Sequence, residues 1–173
     1  MQYSQIIDFH GHECPGLAIG YRLATAAMSA LNATRSGDEE LVAITENDAC
    51  GVDALQCVTG CTFGKGNLIF RDYGKQVYTL YSRKSGRGVR VSYHDDGVPV
   101  ELREDRERRE DFILNAPQDS IISVKQVTVE EPATARKRQS FNCAVCFEPV
   151  METRLRKVGE GLACIPCAEQ AGL

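Results

Sequence analysis

Four cysteines in the last third of the chain limit what it can fold into more than any other feature. Cys143 and Cys146 are separated by two residues, as are Cys164 and Cys167, and seventeen residues lie between the pairs. A piece of about 30 residues cannot bury enough apolar surface to hold itself together. Two C-x-x-C pairs at this spacing form the ligand pattern of a four-thiolate structural zinc site, and the metal then supplies the folding energy. The residues from Glu148 to Leu162 have room for a hairpin turning near Gly159 or Gly161.

The 173 residues leave one ordinary domain before this module. We divide the chain into a core domain over 1–130, a linker over 131–140 and a zinc-binding domain over 141–173. The linker reading rests on Glu131 to Gln139, which lacks any hydrophobic period. A chain with 43% hydrophobic and 25% charged residues is expected to be globular, and no apolar run approaches the roughly 18 residues of a membrane span. The N-terminus lacks the basic-then-apolar pattern of a secretion signal, so the expected location is cytoplasmic. Eight cysteines in that setting point to metal or thiol chemistry rather than disulfides. Residues 1–131 hold 14 Lys/Arg against 20 Asp/Glu and residues 132–173 hold 6 against 4, which gives no strong basic patch and no general reason to expect nucleic-acid binding.

In the core domain the chemistry gathers in two stretches. The first, Phe9-His10-Gly11-His12-Glu13-Cys14-Pro15-Gly16, holds two of the chain's three histidines. On an extended segment His10 and His12 would point to one side. Cys14 precedes Pro15, a residue favoured at the first helical position, where the helix dipole favours thiolate. The second stretch runs from Glu46 to Asn67 and carries Cys50, Cys57 and Cys61. Its Gly64-Lys65-Gly66 lacks the spacing of a phosphate-binding P-loop, leaving an anion-binding turn beside Lys65 or a plain flexible turn. We expect the stretches to converge, making His10, His12, Cys14, Cys50, Cys57 and Cys61 candidates for a second metal ion. The alternative treats these thiols as small buried hydrophobes.

Around these stretches the pattern alternates helix and strand. Leu17, Tyr21, Ala24, Met28 and Leu31 put one apolar stripe on a helix over 15–33. Arg22 serves either a substrate anion or solvent. Asp48 is expected to cap a short helix that Gly60 ends. Strands are expected at 41–45, 68–70, 76–82, 89–94 and 121–129, with the third and fourth forming a hairpin through Ser85-Gly86-Arg87-Gly88. His94 reads as a solvated edge residue. Glu101 to Asp111 reads as a solvated helix, steadied by Glu104–Arg108 and Asp105–Arg109.

His10 to Gly16 followed by Gly20-Tyr21-Arg22, with Asp48-Ala49-Cys50, Asp53-Ala54-Leu55-Gln56 and Thr59 to Asn67, resembles the FmdE family of formylmethanofuran dehydrogenase components over residues 5–129. The resemblance implies an α+β core, helices packed on a mixed or antiparallel sheet, with a small C-terminal four-cysteine domain. It also implies an intertwined homodimer and a cleft lined by His10, His12, Cys14, Cys50, Cys57, Cys61 and Lys65.

Two functions follow as expectations. One is a metal-binding accessory or enzyme-like component of C1 or molybdenum/tungsten metabolism, with protein partners from a redox or C1 complex and a small-molecule ligand in the cleft. Its catalytic candidates are Glu13 and Glu46 as general bases, and Lys65. The other is a non-catalytic interaction module that docks protein or nucleic acid through the zinc domain, supported by Arg136, Lys137, Arg138, Arg154, Arg156 and Lys157.

Overall fold

The computed structural model describes residues 1–172. They form two compact units, Met1–Ala135 and a smaller one from Arg136 onward. The first is an α+β layer structure. Its sheet has the order β2-β1-β3-β4-β5, formed by Leu68–Phe70, Leu41–Thr45, Val77–Ser82, Arg87–Tyr93 and Ile122–Val127. β1 and β2 run parallel, and every other neighbouring pair runs antiparallel.

One face of the sheet carries the core. Helix α2 (Pro15–Leu31) lays Leu23, Ala27 and Leu31 on Leu80, Val89 and Val91, all buried. Helix α4 (Arg106–Asn115) adds Ile113. The short α5 (Gln118–Ile121) leads into β5. Arg22 serves neither an anion nor solvent. Its guanidinium donates to the carbonyls of Ile113, Leu114 and Ala116 at 2.6–2.7 Å, satisfying groups that the last turn of α4 leaves unpaired.

The charged run differs from its sequence reading. Asp105 caps α4 by accepting from the Arg108 amide, so Glu104 falls outside the helix. Arg109 pairs with Asp95 at 3.0 Å rather than with Asp105. Glu110 is buried and accepts from the Tyr3 hydroxyl at 2.7 Å.

On the opposite face of the sheet, the first half of the expected linker is held in place. Arg83 donates to the carbonyls of Pro132 at 2.7 Å and Ala133 at 3.2 Å, and the Ala135 amide donates to Glu39. Residues 127–133 wall a cavity there together with Ile44, Ile69 and Thr79.

The smaller unit is two hairpins and a helical turn. β6 (Ser140–Asn142) pairs with β7 (Pro149–Met151), and β8 (Leu155–Val158) with β9 (Gly161–Cys164). The second hairpin turns at Gly159, whose φ of 59° is in the left-handed region. α6 (Ile165–Gln170) follows directly. Among the described residues no helix is long and apolar enough to cross a membrane.

Candidate metal centre

The extended segment expected around His10 is a helix end. α1 (Tyr3–His10) stops at Gly11, whose φ of 93° and amide bond to the Ile7 carbonyl close it in the left-handed conformation. The chain then reverses, bringing the His12 ring centroid to 4.5 Å from that of His10. Three residues later α2 starts at Pro15, with Cys14 as its cap. The Cys14 sulfur accepts from the Leu17 amide at 3.3 Å.

The second stretch reaches this loop through a close helix crossing. Helix α3 (Gly51–Thr59) begins after Cys50, which stands at the cap position in place of Asp48. A Cβ added to Gly20 would overlap the backbone of Gly51, and one added to Gly51 would lie 2.9 Å from the Gly16 carbonyl oxygen. Only glycine lets α2 and α3 touch backbone to backbone, and that crossing sets the two helix starts side by side.

The result is a cluster of His10, His12, Cys14 and Cys50, whose ligand atoms all lie within 4.8 Å of one another. Two nitrogens and two sulfurs at about 2.0–2.3 Å from a tetrahedral zinc would be about 3.3–3.8 Å apart. The donor set therefore fits a borderline-soft divalent ion. The orientation of His10 strengthens the fit. Its Nδ1 lies 2.7 Å from Asp53 Oδ2, while its Nε2 is buried with no hydrogen-bond partner. A carboxylate on one ring nitrogen fixes the tautomer and leaves the other lone pair for a metal. An orphaned buried acceptor is otherwise unfavourable.

The protonation of Cys14 departs from the dipole expectation. Burial pushes its thiol up, and the Leu17 amide only partly opposes this. A cation at the centre of the cluster is what would turn the balance towards thiolate.

The remaining cysteines of this unit lie outside the cluster. Cys57 is two turns along α3, its thiol pushed up first by burial and then by Asp53. Cys61 is sealed in the main core and raised by burial. Gly60 ends the helix between them, so the four-residue spacing does not place them on one face. Both behave as small apolar side chains. Lys65 is also elsewhere, donating to the carbonyls of Gly37 and Asp38. Glu46 faces the far side of the sheet, where Arg90 holds it at 3.2 Å. Glu13 is exposed, next in sequence to both His12 and Cys14.

A cavity of about 470 Å³ opens beside the cluster. His10 and Cys50 form part of its wall, with Asp53, Gln56, Phe63 and Phe70. Asp53 and the two phenylalanines were given no role by sequence reasoning. Asp53 follows Cys50 by three residues, the spacing that puts both on one helix face, and that was the available signal.

In the smaller unit Cys143, Cys146, Cys164 and Cys167 also bring their sulfurs within 4.8 Å of one another. The Cys164 and Val145 amides donate to Cys143 Sγ at 3.3 and 3.4 Å. Amides of Cys146 and Cys164 hold Cys143 down to about 6. Cys167 is pushed up to about 12, first by its hydrogen bond with Cys164. Four thiols so close cannot all ionise together without a cation.

The model of the family described as "FmdE, Molybdenum formylmethanofuran dehydrogenase operon" matches residues 9–131. A crystallised FmdE-like protein of the tungsten formylmethanofuran dehydrogenase type, from Syntrophus aciditrophicus, is similar over 100% of this chain and 95% of its own, with a TM-score of 0.73 and 26% identity. A probable S-adenosyl-L-methionine-binding protein from Archaeoglobus fulgidus is 33% identical over 93% of this chain. The chain spans 50% of that relative's length. The matched span takes in the glycine-locked helix pair and the imidazole–thiol cluster and covers more than half of the chain, which belongs to the FmdE family.

Proposed function

We propose that this protein binds two zinc ions for different purposes, one in the core cluster as a working centre and one in the small unit as a structural clamp. The observation that carries the reading is His10: Asp53 engages one ring nitrogen and the other is buried without a partner. Such a nitrogen offers a buried lone pair to an electron-pair acceptor such as a metal ion.

A zinc ion held by His10, Cys14 and Cys50 would supply Lewis acidity next to the cavity when the exposed His12 yields its position to a small molecule. The chain's residues contribute the rest. Asp53 orients His10, the buried Cys14 closes the inner side, the half-buried Cys50 faces the cavity, and the exposed Glu13, next in sequence to His12, offers a carboxylate that can exchange a proton on the outer side. His12 is exposed while Cys14 is buried, so the outer side is the one open to exchange.

By its family, we place the protein as an accessory or enzyme-like component of C1 metabolism of the formylmethanofuran dehydrogenase type, or of molybdenum/tungsten metabolism, acting in the cytoplasm as a homodimer. The likeness to the Syntrophus FmdE-like protein supports the formylmethanofuran dehydrogenase side of this reading. The name of the Archaeoglobus relative is not carried over, because half of that protein lies outside the match.

The test is a cobalt titration of the full chain. Thiolate-to-cobalt absorption should develop in two steps, and Asp53→Asn should weaken one step by about 10- to 100-fold while leaving the other unchanged. A single step unaffected by Asp53→Asn would refute the core centre.

One observation favours a second reading, a docking module without catalysis. Phe147 is 74% exposed and holds a φ of 63°, and Phe141, Val145, Met151 and Leu162 are also exposed on the small unit. That reading requires only the structural zinc, so metal stoichiometry separates the two.

A further inference from the structure

The cavity beside the core cluster has a chemistry of its own. Phe63 is 78% exposed and Phe70 45% exposed, and both form part of its wall. Large aromatic side chains left in water at the edge of a concavity are characteristic of a ligand-binding mouth. At about 470 Å³ the space suits a molecule of two or three fused or linked rings.

Most of its donor groups are already engaged, Thr45 on the Asn47 carbonyl among them. Asn47 is committed to backbone, its amide donating to the Lys75 carbonyl and its oxygen accepting from Ala49. The Gln56 amide nitrogen faces Asp53, which leaves the Gln56 oxygen free. Asp48 is exposed and has no hydrogen-bond or ion-pair partner among the described residues. Apart from the second Gln56 N–H and the Cys50 thiol, the free groups are therefore acceptors and carboxylates. No lysine or arginine is part of the cavity wall.

We infer that this cavity binds an unphosphorylated nucleoside: the flat base against Phe63 and Phe70, and the ribose hydroxyls donating to Asp48. Aromatic faces accept any base. A vicinal diol is the hydrogen-bond donor that a solitary carboxylate selects, the same chemistry by which an acidic residue recognises ribose in dinucleotide sites. A phosphate group would meet two aspartates and no lysine or arginine, and the charge of a core zinc would be balanced by the Cys14 and Cys50 thiolates, so phosphorylated forms bind more weakly. The inference rests on the metal reading above, since His10 and Cys50 form part of the cavity wall.

The test is calorimetric titration of the zinc-loaded full chain with adenosine, ATP and inorganic phosphate, and with the other three ribonucleosides, recording bound zinc in the same preparations. Adenosine should bind with a Kd below about 1 mM, and ATP at least tenfold more weakly. Phe63→Ala, at an exposed position, should weaken adenosine binding about 5- to 100-fold with no change in zinc content. Asp48→Asn should lower the preference for adenosine over 2′,3′-dideoxyadenosine.

Preparations holding two zinc ions that bind none of the four nucleosides overturn the nucleoside site and leave the metal centre standing. ATP binding more tightly than adenosine overturns it too. So does a Phe63→Ala variant that changes oligomeric state but not ligand affinity, because the phenylalanines then belong to a second copy. Preparations with one zinc ion that still bind adenosine overturn the metal reading alone.

Discussion

Replacing Gly20 with alanine should open the core metal centre without unfolding the protein. The new methyl carbon would stand 2.6 Å from the Gly51 carbonyl carbon, and would overlap that residue's carbonyl oxygen and Cα. Ordinary contact begins at 3.4 Å, so α2 and α3 must part by roughly 1 Å. Overpacking of this kind costs about 1–3 kcal/mol, and alanine's better helix propensity returns about 0.5–1 kcal/mol of it. The net loss of about 0–2.5 kcal/mol leaves a folded protein.

The metal centre tolerates far less. Cys14 and Cys50 cap the two helices being separated, and metal–ligand distances hold to within about 0.2 Å. Cobalt affinity of the core step should therefore fall at least tenfold, while the four-cysteine step keeps its affinity. Visible absorption measures the first effect and urea denaturation the loss of stability. A Gly20→Ala protein with both cobalt steps intact and unchanged stability would show that the glycine crossing does not set the centre's geometry.

Other outcomes follow from single contacts. Arg22→Ala removes three hydrogen bonds to the end of α4 and should lower stability by about 2 kcal/mol in urea, with Arg22→Lys restoring little because an ammonium cannot span three carbonyls. The Ser36 hydroxyl first, and then the Asp38 amide, hold the Glu40 carboxyl down to about 2. A depressed carboxyl contributes stability that is full above its unfolded value of about 4.3 and is lost as pH falls through about 2. The penalty of Glu40→Gln in the urea midpoint should accordingly be complete at pH 6 and vanish near pH 2. Stripping metal with a chelator should abolish hydrogen-exchange protection in β6–β9 while β1–β5 keep theirs, because only the small unit lacks a core of its own.

The sheet and α2 were legible because their signals are local. Val77 to Tyr81 and Val89 to Tyr93 are β-rich runs around a glycine turn, and they pair antiparallel as expected. Pro15 marks where α2 starts. The sequence reading of α1 failed because its only buried residue is Ile6, too little to create a period. Arg22 and Arg109 were misread because their partners, carbonyls on α4 and the carboxylate of Asp95, lie far along the chain. The candidate site was legible as a set of residue types but not as a set of members. Spacing treats Cys50, Cys57 and Cys61 alike, and only the Gly20–Gly51 crossing separates the first from the others. Asp53 stayed hidden because its role depends on the reversal at Gly11.

The most direct measurement is the metal content of a full-length variant in which Cys143, Cys146, Cys164 and Cys167 are all serine. We expect one zinc ion per chain, lost when Cys50 is also replaced by serine. A variant that folds yet holds no zinc would show that the imidazole–thiol cluster is packing and not a metal centre.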